Sequence, residues 1–185
     1  MSIVQIIRHI RAIWRNDHGI SAVEFALILP VMLTLYLGTI DVSTFIILDR
    51  KVAVVAGSVA DLVARAEDQI ATSTVDDYFK AAEFTIKPYD SANLRQRVTS
   101  LRIDGDAKAW VLWSRTYNGG SPLTKDSQYV QIPPEFAAAN KNKYLIMGEA
   151  WNSADPLIGY LFNSTMNYQH RYFFRSRFDG IINLI

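Results

Sequence analysis

Hydrophobic and polar positions divide this chain into unequal parts. From Phe25 to Leu48 it is apolar except for one charge, Asp41, and Asp49-Arg50-Lys51 closes the run. At ~1.5 Å per residue, this stretch of about two dozen residues predicts a helix of roughly 36 Å, long enough to cross a hydrocarbon layer of about 30 Å. Ser21 followed by Glu24 fits a capping box at its start. Glu24 is either that cap or, as an acid beside an apolar run, the partner of a positive group on a neighbouring chain. Pro30 removes a helical hydrogen bond and predicts a kink or a loosened turn. Asp41 stands either at the outer headgroup level or against another protein chain, where Gly38 would permit close helix contact.

The amphipathic pattern continues past the apolar run. Ala53, Ala56, Ala60 and Ala64 recur at helical spacing beside Val52, Val55, Val59, Leu62 and Val63, with Asp61, Arg65, Glu67 and Asp68 on the other side. This predicts a helical extension to Ala71, weakened at Gly57. Its Ala–Val face covers either the domain's own sheet or another subunit. Thr74 is a candidate cap for a short helix over 75–82.

Alternation then predicts strands over 83–89, 96–103, 107–117, 143–152 and 171–178. Asp104-Gly105 marks a hairpin turn, and Pro133-Pro134 precedes a short helix near 135–140. Residues 157–162 form a short helix or strand. The expected fold class is α+β: a long N-terminal transmembrane helix packed on a three- to five-stranded antiparallel sheet. The expected segments are a basic leader over 1–19, a transmembrane helix over 20–48, an amphipathic extension over 49–71 and an extracytoplasmic α+β domain over 72–185.

Charge orients this layout. Arg8, Arg11 and Arg15 against Asp17 make the N-terminal flank basic, which places the N-terminus in the cytoplasm and the C-terminal domain outside it. The long basic region, and the absence of a small-x-small site just after the apolar run, argue against an ordinary cleaved secretory signal. The whole chain has 185 residues, a net charge of +1 and no cysteine, so a nucleic-acid partner is not expected, and neither a disulfide nor a thiol site can form.

Catalytic motifs are missing: there is no H-E-x-x-H, Walker loop, dinucleotide fingerprint or G-x-S-x-G. No enzyme activity, cofactor or metal is expected. Asp104 and Asp106 flank Gly105 in a turn rather than a calcium loop. Trp110 and Trp113 differ by an odd number, so a regular strand points them to opposite faces, one to the core and one to a possible interface. Arg171, Arg175 and Arg177 form a basic strand end, either solvated or facing anionic lipid or an acidic subunit.

The run Gly19-Ile20-Ser21-Ala22-Val23-Glu24-Phe25-Ala26-Leu27-Ile28-Leu29-Pro30 resembles the start of the TadE-like family, minor pilins or pseudopilins of the tight-adherence (Tad) pilus machinery. The segment from Lys51 to Ala64 is similar to the stretch just beyond the membrane helix in such proteins. Glu149-Ala150-Trp151, Pro156-Leu157 and Arg175-Ser176-Arg177 resemble the family's tail more loosely, with Ser where a Pro is usual. The resemblance implies cleavage by a prepilin peptidase between Gly19 and Ile20, with Glu24 as the fifth mature residue. It implies pairing of Glu24, next to Phe25, with the free amine of an adjacent subunit. The implied partners are other pilin or pseudopilin subunits, an inner-membrane assembly platform and membrane lipid. The implied place is the bacterial inner membrane, single-pass, with a periplasmic domain that can enter an extracellular pilus. The alternative is a membrane-anchored extracytoplasmic binding protein that is neither processed nor built into a filament.

Overall fold

The computed structural model describes residues 18–185, with side chains from Ser21 onward; the leader expected over 1–19 lies almost wholly outside them. Helix α1, His18–Ala64, is 47 residues long, about 70 Å at the usual rise. Residues 18–20 are already helical, so Ser21 lies inside the helix and cannot cap it, which corrects the capping-box reading. Pro30 is also inside the helix without ending it. The helix stops at Ala64, short of the expected Ala71. The Arg177 backbone N–H donates to the Ala64 carbonyl at 2.9 Å, and Gln69–Ile70 forms strand β1.

Helix α2, Thr72–Glu83, begins at Ala71 with no side-chain cap, so Thr74 is an interior residue rather than the cap. Val75, Phe79 and Ala82, at four- and three-residue spacing, form its buried face. The strand expected over 83–89 is instead the end of α2 followed by a 3-10 helix, Phe84–Ile86. Ile86 is buried while Phe84 is exposed, an outcome that alternation alone could not separate.

Strands β2 (Arg95–Ile103), β3 (Ala109–Tyr117), β4 (Gln128–Tyr129), β5 (Tyr144–Ala154) and β6 (Met166–Arg175) form one antiparallel sheet in the order β4-β3-β2-β5-β6. Helix α3, Pro134–Ala139, lies between β4 and β5 in the chain. Strand β7, Asn183–Leu184, pairs in parallel with β1. Thr72 donates through its backbone N–H and its hydroxyl to the Ile185 carbonyl, tying the residue after β7 to the start of α2. The fold is the expected α+β layout, a long helix on an antiparallel sheet, with five strands.

The sheet is buried on both faces. On one side the second half of α1 contributes Leu48, Val52, Val55, Ala56, Val59, Ala60 and Val63, packed with α2 residues against Val98, Ile146 and Ala150. The Ala–Val stripe therefore covers the domain's own sheet. On the other side Leu101, Ile103, Val111, Leu145 and Met147 pack with Tyr129, Ile132 and Ala137. This explains why Val98 is out of phase with Leu101 and Ile103: each faces a different core. Gly148 marks a close approach of helix and sheet, where a Cβ would collide with the Ala56 carbonyl and the Ala60 side chain.

Candidate functional site: the bare helix and the loop beside it

The first part of α1, up to residue 33, projects clear of the domain. Residues 21–33 are all exposed, including Val23, Phe25, Leu27, Ile28 and Met32. It is the one described helix long and apolar enough to cross a membrane, and only 6% of its most apolar window is buried. The core starts at Leu48. An unsupported apolar helix of this length in water would expose far more contiguous oily surface than soluble monomers carry, so it is compatible with a single-pass anchor. Glu24 is exposed near its start, and its carboxylate makes no hydrogen bond or ion pair among the described residues. Phe25 beside it is 60% exposed. Gly19 and Ile20 stand in helical backbone in the first described turn.

Asp41 is covered from within its own chain, and not by another protein chain as one of the two sequence readings had it. It is fully buried, and its partner is this chain's own β5–β6 loop. Its carboxylate accepts the backbone N–H of Ile158 at 2.8 Å and that of Gly159 at 3.3 Å. Gly38 is covered by Leu161 of the same loop, so its missing side chain admits a loop rather than a second helix. Phe162 meets Phe45 edge-on, with ring centroids 5.8 Å apart. Residues 157–162 form neither helix nor strand.

The two tryptophans share a face, against expectation. A bulge between Ser100 and Leu101 pairs Trp113 with Ser100 and Trp110 with Arg102, so the inserted Leu112 resets the alternation. Neither indole N–H is available to a partner. Trp113 Nε1 donates to the Ile182 carbonyl at 2.6 Å, and Trp110 Nε1 to the Asp104 carboxylate at 2.8 Å. Asp104 also accepts the backbone N–H groups of Asp106 and Lys108. The Trp110 bond, with these backbone donors, holds its carboxyl below the usual carboxylate range. That is the work of a turn residue. No group of three or more metal-ligating side chains occurs among the described residues.

The basic strand end is largely neutralised within the chain. Glu149, its side chain fully buried, accepts Arg97 Nε and Arg171 Nε, each at 2.7 Å, across three paired strands. Arg97 stacks over Trp151 and Arg171 over Tyr129. Burial pushes the Tyr129 phenol up to about 12; the Glu149 charge adds to this, and Arg171 and Arg97 oppose it. Arg175 pairs with Asp179 through two nitrogens, at 2.7 and 3.0 Å. Arg177 is exposed. Sequence reasoning also missed His170, whose Nε2 lies 2.7 Å from Asp49 Oδ1 and joins β6 to α1. A lone histidine gives no sign of a partner more than a hundred positions away.

No curated protein and no solved structure matches this chain. A family model does, and it is described as TadE-like protein. It covers residues 19–61, from the first described turn of α1 to its last turn, and none of the sheet. Over residues 19–61, then, the chain carries a TadE-like segment, and this segment includes the helical half that the domain leaves bare.

Proposed function

We propose that this protein is a minor pilin or pseudopilin that takes part, without catalysis, in assembling or initiating a Tad-type pilus. The observation that carries the reading is an uncovered apolar helix with Glu24 exposed near its start, inside a TadE-like segment. In this reading the N-terminus is cytoplasmic and the sheet domain periplasmic. A prepilin peptidase cuts between Gly19 and Ile20, which creates an ammonium at Ile20. Glu24 of an adjacent subunit then has a charged partner, and the pair sets the register between helices in a low-dielectric stack. Cleavage also removes Arg8, Arg11 and Arg15, loosening the cytoplasmic hold on the helix. The glycine eases unwinding of the first turn at the cut, because it favours helix by about 1 kcal/mol less than Ala. The partners are the peptidase, other pilin-like subunits, the assembly platform and lipid.

Mass analysis of the protein from native membranes tests the processing step. A mature chain starting at Ile20 is expected, whereas an intact Met1 supports the static-anchor alternative. The variant Glu24→Ala should be processed near normally yet be lost from sheared filaments. Unchanged filament output in that variant removes the pairing role.

A further inference from the structure

We propose that the loop joining β5 to β6 is a second membrane contact, seated in the outer leaflet beside α1 and latched there by Asp41. This rests on the reading that α1 spans a bilayer. Pro156 to Thr165 carries no charge, and Leu157, Tyr160, Leu161 and Phe162 are 67, 65, 47 and 41% exposed. In a water-facing loop such a cluster is a liability; against lipid it is buried.

Depth selects the occupant. An upright helix entering the hydrocarbon at Phe25 reaches the far edge of a ~30 Å layer near Thr44. The loop touches α1 at Gly38, Asp41 and Phe45, so it straddles that edge. A tyrosine among aliphatic residues suits this interfacial zone. Asp41 is the only charge between Phe25 and Leu48, and the loop is what covers it. The arrangement solves two solvation problems together. A carboxylate near hydrocarbon obtains two N–H donors, and two backbone N–H groups of an irregular loop obtain an acceptor where water is scarce.

The native chain has no cysteine, so single cysteines can carry a nitroxide label without a background signal. The full-length protein is reconstituted in phosphatidylcholine–phosphatidylglycerol vesicles, with labels at Leu157, Tyr160, Val31 and Val130 in separate samples. Val31 reports the bare helix. Val130 is 76% exposed and follows the β4 residue paired with Ala109, at the opposite end of the sheet. Labels at Leu157 and Tyr160 are expected to collide with dissolved oxygen several-fold more than with a water-soluble nickel chelate, as at Val31 and opposite to Val130. Adding Asp41→Ala should shift the loop labels toward the Val130 pattern. Aqueous loop labels with a lipid-like Val31 overturn the loop contact and leave the anchor standing. An aqueous Val31 overturns the anchor reading and this inference together. Loop labels shielded from both reagents mean that a second protein copy, and not lipid, covers the loop, which also overturns it.

Discussion

Gly148 shows how a single residue sets the spacing of two layers. It lies on β5 where α1 presses Ala56 and Ala60 against the strand, and a methyl group there meets the Ala56 backbone and the short Ala60 side chain. Gly148→Ala is therefore expected to destabilise the domain by about 2–3 kcal/mol, by overpacking a contact that cannot yield through a rotamer change. Thermal melts in detergent will show it as a lowered midpoint; an unchanged midpoint means that helix and strand separate more easily than their packing implies. Glu24 is a residue of another kind. Nothing within the described chain explains an exposed carboxylate beside Phe25 at the edge of an apolar run, and the proposed assembly gives it a partner.

Helix α2 is held to the sheet partly by charge. Arg115 on β3 donates through two nitrogens to the Asp76 carboxylate, at 2.9 and 2.8 Å. That bond is the main reason the Asp76 carboxyl titrates below its usual range. A carboxylate depressed in the folded state contributes stability above its unfolded value, near 3.8, and this contribution disappears as pH falls through the lower folded value. Arg115→Ala should weaken the domain at neutral pH by no more than about 1 kcal/mol, since both side chains are partly exposed and screened. The variant should also lose less stability than the parent between about pH 5 and pH 2, a window of roughly one to two units either side of the unfolded value. Melts across that range will check the sign: equal acid sensitivity in both proteins assigns the loss to other carboxylates. Strand β3 carries the other lesson at this scale. Its hairpin was legible from Asp104-Gly105, but the bulge was not, because an extra residue leaves no mark on composition and is defined only by the partner strand.

At the scale of the whole molecule, α1 has two halves with different surroundings. Leu48 to Ala64 supplies one side of the core, while residues 21–33 contribute nothing to it. A chain beginning at Asp41 is therefore expected to fold into a soluble domain with a cooperative transition, readable by circular dichroism and size-exclusion chromatography. One beginning at Arg65 loses Leu48, Val52, Val55, Val59 and Val63 from the core and should not fold. If both fragments melt alike, the helix is an accessory to the sheet and the two-layer reading fails.

Taken alone, the sequence determined the long helix, its bare apolar half, the α+β class and the TadE-like start, because each depends on local composition or on residues a few positions apart. Length against bilayer thickness, and spacing against a 3.6-residue turn, need no knowledge of distant partners. Only the tertiary structure decided which acid faces which donor. Asp41 meets Ile158, Asp49 meets His170, and Glu149 gathers Arg97 and Arg171. Such pairs depend on strand register and loop path, which are set by the summed packing of both cores; a residue's identity gives its chemical needs but not the distant group that meets them.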